Sequence, residues 1–227
     1  MKIAVLGAME IEIKPLLKYF DEYEVVEYAN NKYYLAEYKG HDLVIAHSKI
    51  GKVFSALTAT VMIEKFNAEV LLFTGVAGGL GDLEIGDVIA ATATVQHDVD
   101  ITAFGYPYGK IPSADVIIPT SKGLLVKAQE IAQERDINFH TGVIATGDQF
   151  IHGTEKKSFI TKEFGAKALE MEGGSVNQVC NEFGVPCLIL RSISDTADGT
   201  APENFDIFAK EAADKSADFV MSMIRKF

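Results

Sequence analysis

The sequence predicts an α/β fold, a mixed and largely parallel sheet covered by helices. Short apolar runs alternate along the chain with longer stretches of helical periodicity. The last segment, 205–227, sets Phe205, Phe208, Ala212, Phe219 and Ile224 near helical spacing, as a helix packed on a sheet does. No Pro/Gly/Ser linker interrupts the alternation, so one domain over 1–227 is expected.

Residues 3–7 read as a buried strand and 10–19 as a helix with Leu16 and Leu17 inward. Pro15 marks either the first turn of that helix or a bend. Residues 33–38 and 43–47 are strands joined by a Lys39-Gly40 turn. A helix over 53–66 leads to strands at 70–74 and 87–95. A helix at 123–134 is followed by strands at 141–146 and 166–171, a helix at 176–183 and a strongly apolar strand at 187–193. The longest irregular stretch is 97–115, and loops of that length in compact domains are often functional.

Composition narrows the partners. The 227 residues carry a net charge of −11, from 32 acidic and 21 basic side chains. That balance disfavours nucleic acid and anionic membrane, which offer no positive charge to pair with. The apolar stretch after Met1 is too short for a signal peptide, and no run approaches the length of a membrane span. Cys180 and Cys187 do not make a disulfide framework, so a reduced, cytoplasmic setting is expected. The histidines at 41, 47, 97, 140 and 152 lack zinc-type spacing, and neither a metal nor a cofactor is expected.

In open α/β sheets, ligands bind outside the carboxyl ends of the strands. Glu12 follows the first strand, Gly75-Val76-Ala77-Gly78-Gly79 another, Gly147-Asp148-Gln149-Phe150-Ile151 a third. Glu170-Met171-Glu172-Gly173-Gly174 and Ser194-Asp195 end two more. The glycine segment is neither a dinucleotide fingerprint nor a P-loop, and reads equally as a tight turn or as close backbone approach to a flat ligand. Arg191, inside an apolar run, needs an acceptor. Either it forms a structural ion pair, or it meets Glu12 or Glu172 at the sheet end and orients a water. Glu12 and Glu172 are also ordinary acids for a first helical turn, and Asp195 an ordinary N-cap. Taken jointly they suggest one acidic site. Such a site suits glycosidic cleavage, whose transition state is an oxocarbenium-like cation, with one carboxylate deprotonating water and another protonating the departing base.

The blocks Gly7-Ala8-Met9-Glu10-Ile11-Glu12, Ser48-Lys49-Ile50-Gly51-Lys52, Thr74-Gly75-Val76-Ala77-Gly78-Gly79, Glu170-Met171-Glu172 and Arg191-Ser192-Ile193-Ser194-Asp195 resemble the 5′-methylthioadenosine/S-adenosylhomocysteine nucleosidases over nearly the whole chain. The resemblance implies a nucleoside phosphorylase/hydrolase-like three-layer sandwich, with a central mixed sheet flanked by helices. It implies Asp195, assisted by Ser194, as the acid toward adenine N7, and Glu12 as the base toward water with Arg191 helping to hold it. Glu172 would accept the ribose hydroxyls. Phe150 would stack on adenine while the Ile151 backbone reads its edge. Met171 would lie under the ribose, and Met9, Ile50, Ala77, Gly78 and Phe205 would complete the pocket. Ile101, Phe104, Tyr106 and Pro112 resemble residues that a neighbouring subunit contributes, which implies a homodimer; without the resemblance, these aromatics would read as a local loop core.

The sequence departs from the family at two places. Val76 stands where some members have serine, and Gly173-Gly174, where many have Ala or Gly-Ala, is expected to loosen a helix start. The segments 95–100, 147–150 and 48–52 resemble most a subgroup that also cleaves 6-amino-6-deoxyfutalosine and 5′-deoxyadenosine. Two other readings stay open: a phosphate-dependent phosphorylase of the same superfamily, disfavoured by the repulsion between phosphate and Glu12 or Glu172, and a non-catalytic nucleoside-binding protein.

Overall fold

The computed structural model describes residues 1–196 and 201–227. The chain runs β1 (Lys2–Gly7), α1 (Glu10–Leu17), β2 (Glu24–Tyr28), β3 (Asn31–Tyr38), β4 (His41–His47), α2 (Lys52–Glu64), β5 (Val70–Phe73), β6 (Val76–Gly79), β7 (Val88–Gln96) and β8 (Ile117–Pro119). It continues through α3 (Lys122–Glu134), β9 (Phe139–Thr146), α4 (Thr154–Phe164), β10 (Ala166–Glu170), α5 (Gly173–Phe183), β11 (Cys187–Asp195) and α6 (Ala201–Ile224).

The strands form one 11-stranded mixed sheet in the order β2-β3-β4-β1-β5-β11-β6-β10-β9-β7-β8. β11 is its pivot, pairing parallel with β5 and β6 and antiparallel with β7. That last pairing closes β11, β6, β10, β9 and β7 on themselves, while β2 to β5 remain an open wing. The central strands are buried on both faces and mostly apolar, the polar residues of β11 falling in its second half. Along β1, Ala4 and Leu6 pack with Ala59 and Met62 of α2 and Val176 and Cys180 of α5. Ile3 and Val5 pack on the other side with Ile13 and Leu16 of α1, Leu124 and Ile131 of α3, and Val220 and Ile224 of α6. Helices thus sandwich the sheet in three layers, as the fold class required. Among the described residues no helix is long and apolar enough to cross a membrane.

Several expectations are corrected. The glycine-rich stretch is largely strand: all four residues of β6 are buried, hydrogen-bonded between β11 and β10. The tight-turn reading is the one corrected: Gly79 serves packing, since a Cβ there would lie 3.0 Å from Ile193 Cγ2 and 3.2 Å from Leu83 Cβ, while Ala77 and Gly78 face a cavity. Helix α1 ends at Leu17, two residues early, with a tight final turn in which Tyr19 N donates to Leu16 O. Gly173-Gly174 does not loosen α5, which starts at Gly173. Cβ atoms there would lie 2.9 Å from Ile189 Cγ2 and 2.9 Å from Thr146 Oγ1, so the helix is pressed against β11 and β9 where only glycine fits. The Lys39-Gly40 turn forms as expected, with φ of 53° and 79°.

Candidate active site

Glu12, in the first turn of α1, is buried at 3% exposure. Its Oε2 accepts from Ala8 N at 2.6 Å and Met9 N at 2.8 Å, and its Oε1 accepts from Val76 N at 3.0 Å. Three backbone donors fix the carboxylate across the junction of β1, α1 and β6. Burial pushes its proton affinity up, opposed by the Arg191 charge and by these backbone bonds, and the net direction is upward. Gly75 makes room for it, since a Cβ there would lie 2.4 Å from Glu12 Oε1.

Asp195 ends β11 and is also 3% exposed. The β11–β6 register slips between Ile193 and Asp195, an irregularity of the kind that re-aims side chains near sites. Ser194 Oγ donates to Asp195 Oδ2 at 3.0 Å, with Ala77 O a longer acceptor at 3.4 Å.

Glu172 stands at the entry of α5 and is buried. Gly51 N donates to its Oε1 at 2.8 Å. Burial first, then the neighbouring Glu170 charge, push its carboxyl up to about 8, with Gly51 N and Arg191 pulling the other way. Gly51 is itself braced. Lys52 Nζ pairs with Asp98 at 2.7 Å, Asp148 N donates to Asp98 at 2.9 Å, and Lys52 N donates to Asp148 at 2.8 Å.

Glu12, Glu172, Ser194 and Asp195 line one cavity of about 450 Å³. Met9, Ile50, Phe150, Met171 and Phe205 supply apolar walls, with the Phe150 and Phe205 rings edge-to-face at 6.0 Å. Ala77 and Gly78 of β6 close one side. Hollows of about 510 and 560 Å³ lie along β2 to β4, but their linings hold none of these carboxylates.

The remaining expected residues lie elsewhere. Ile151 is buried in a core cluster with Leu80, Val95 and Ile160, so its side chain does not face the cavity. Arg191 is 1% exposed, and the contact expected with Glu12 or Glu172 is corrected: its Nη2 donates to Glu170 at 2.7 Å, and its guanidinium lies 4.1 Å from the Phe73 ring centroid. It reaches Glu12 and Glu172 only as a charge at longer range. Ile101, Phe104, Tyr106 and Pro112 stand apart from this chain's own cavity. Phe104 is 80% exposed and Tyr106 43%, so the loop-core reading of these aromatics fails. The sequence reading missed Glu170 as the partner of Arg191. It also missed the Lys52–Asp98–Asp148 brace, whose residues it quoted without pairing them; for Glu170 the signals were its place at a strand end and a buried cation needing an acceptor.

This arrangement of sheet and acidic, apolar-walled cavity has known relatives. The model of the phosphorylase superfamily matches residues 2–225, and the chain belongs to that family. Aminodeoxyfutalosine nucleosidase of Campylobacter jejuni is 52% identical over 227 residues, covering 100% of this chain and 99% of the relative. A 5′-methylthioadenosine/S-adenosylhomocysteine nucleosidase of Staphylococcus aureus is 37% identical over 224 residues, 98% of each chain. A solved Helicobacter pylori nucleosidase, an aspartate-to-asparagine mutant with 5′-methylthioadenosine in its active site, superposes with a TM-score of 0.98 at 47% identity, covering 100% of this chain and 99% of that one. Within the superfamily these relatives are nucleosidases.

Proposed function

We propose that the protein hydrolyses the N-glycosidic bond of adenine nucleosides bearing a 5′ substituent, releasing adenine and a 5-substituted ribose. The substrates are 5′-methylthioadenosine and S-adenosylhomocysteine, together with 5′-deoxyadenosine and 6-amino-6-deoxyfutalosine; the names of the relatives support the first pair and the last. The observation that carries the reading is that Glu12 and Asp195, far apart in sequence, line one apolar-walled cavity.

In this reading adenine sits against Phe150, with the Ile151 backbone at its edge. Asp195, its carboxyl rotation set by Ser194, gives a proton to adenine N7. The ribose hydroxyls donate to Glu172, and Met171 lies beneath the sugar. As the C1′–N9 bond breaks, the ring acquires positive charge that the surrounding carboxylates stabilise. Water then bonds to C1′ and its proton passes to Glu12, whose upward-shifted affinity is the right direction for a base working near neutrality. Arg191 acts through its charge, since its Nη2 is bonded to Glu170.

A phosphate nucleophile has no such welcome. The cavity presents Glu12, Glu170, Glu172 and Asp195, and the nearby arginine is already paired. Incubation with 5′-methylthioadenosine, with and without phosphate, is expected to yield adenine and free methylthioribose at the same rate. A sugar 1-phosphate appearing only when phosphate is supplied would make the protein a phosphorylase. Aminodeoxyfutalosine is expected to release adenine at a comparable rate, and negligible turnover removes it from the substrate range.

Gly75→Ala tests the placement of Glu12. The added methyl must displace the carboxylate, and turnover is expected to fall on the order of 10²-fold, as for a 1 Å misplacement of a reacting group, with the circular dichroism unchanged. Near-native turnover would show that Glu12 does not act from this position.

We further infer a homodimer. Val53, Phe54 and Leu57 are exposed on α2, next to Ile50 at the cavity, and Phe104 and Tyr106 are exposed on the long loop. A second copy covering these surfaces would carry Ile101, Phe104, Tyr106 and Pro112 to the 5′ end of its neighbour's pocket. Sedimentation at assay concentration is expected to show a dimer; an active monomer rules out the shared pocket. The buried free thiols of Cys180 and Cys187 fit a reducing, cytoplasmic setting.

A further inference from the structure

The first turn of α5 divides its hydrogen bonds in an unusual way. Glu172 holds the N-cap position, from which a side chain ordinarily accepts from the first helical N–H groups. Its carboxylate makes no such bond among the described residues, and instead takes Gly51 N and faces the cavity. Two other residues do the capping. Glu172 N and Gly173 N donate to Glu170 Oε2 at 3.1 and 2.6 Å, and Gly174 N donates to Thr146 Oγ1 at 2.7 Å. The Thr146 hydroxyl donates in turn to Glu170 Oε1. Glu170 Oε2 also receives Arg191 Nη2, in a pair whose side chains are 1% and 2% exposed. The bare glycines at 173 and 174 let β10 and β9 come this close.

We propose that Glu170 is the positioning residue of the site: by capping α5 together with Thr146 and by holding Arg191, it releases the Glu172 carboxylate for the sugar hydroxyls and sets the charge around it. This rests on the nucleosidase reading, in which Glu172 binds the ribose.

The groups facing Glu172 are Glu170 from β10, Arg191 from β11, Glu12 from α1, Gly51 N ahead of α2, and Asp195 across the cavity. Burial first, then the Glu170 charge, push the Glu172 carboxyl up, to about 8. Ribose hydroxyls donate to the ionised form, so kcat/KM, which reports the free enzyme, rises as pH passes through that value. Glu170→Gln removes the like charge and leaves Arg191 facing the remaining carboxylates. Both changes favour ionised Glu172, so the rising limb moves to lower pH. Thr146→Val removes one cap and alters no charge, so KM rises, on the order of 10-fold as for lost outer-shell support, while the midpoint stays.

The experiment is the pH profile of kcat/KM for 5′-methylthioadenosine in the wild type and both variants, with a ¹³C-carboxyl NMR titration of Glu172, assigned through Glu172→Gln. A midpoint displaced downward by a unit or more in Glu170→Gln, by either readout, is the expected result. An unmoved midpoint overturns the proposal, however far the rate has fallen. If Glu170→Gln does not fold, Thr146→Val decides: an unchanged KM overturns the proposal, and a raised KM at an unshifted midpoint sustains it. A wild type without nucleosidase turnover is a failure of the functional reading instead, and the NMR midpoints still test the role of Glu170.

Discussion

Asp195→Asn is expected to lower kcat on 5′-methylthioadenosine by about 10²- to 10⁴-fold, the range a positioned general acid supplies, while nucleoside affinity stays within a few-fold. Asparagine has nearly the shape of aspartate, and its carbonyl can still accept from Ser194, so the strand end and the pocket keep their form. What it cannot do is deliver a proton to N7, and unprotonated adenine is a poor leaving group. Calorimetric binding measured beside single-turnover kinetics separates the two properties. Equal loss of affinity and rate would mean that Asp195 holds the substrate rather than protonating it. Unchanged turnover would place the acid elsewhere.

Glu12→Gln has two expected effects, because one side chain both braces the fold and carries the base. Its two oxygens accept from Ala8 N, Met9 N and Val76 N. A glutamine has only one acceptor oxygen, so its NH2 must face at least one of these backbone donors. A buried donor left unsatisfied costs about 1–3 kcal/mol, which for a chain of this size lowers Tm by roughly 2–12 °C. Turnover is expected to fall by about 10²- to 10⁴-fold as well, from loss of the base. Differential scanning calorimetry and steady-state kinetics on the same preparation check both. A lowered Tm with near-native kcat would leave Glu12 a structural residue and require another base.

The central strands and most helices were legible because burial on two faces leaves a local signature. The runs Ile3–Leu6 of β1 and Cys187–Leu190 of β11 have no polar interruption. The segments missed lack such a signature. β2 is mostly exposed, β8 is three residues long, and α4 buries only Ile160 and Phe164 against the sheet. β6 hid behind its glycines, whose role depends on neighbours distant in sequence.

The same distinction applies at the site. Glu12, Glu172 and Asp195 could be suspected because each follows an apolar run. The partner of Arg191 could not be chosen from sequence, since Glu12, Glu170 and Glu172 are chemically alike at that resolution. The short β6 between β10 and β11 makes the choice, placing Glu170 in reach of the guanidinium. The long loop was recognisable as irregular, but the exposure of Phe104 and Tyr106 depends on how the loop lies on the fold, which no local pattern encodes.

A crystal structure of the Asp195→Asn protein soaked with 5′-methylthioadenosine tests the central claim most directly. The account predicts adenine N7 within hydrogen-bond distance of the residue 195 amide, the ribose hydroxyls on Glu172, and Glu12 on the side from which water reaches C1′. A nucleoside bound outside this cavity, or turned so that its base lies toward Glu12, would contradict it.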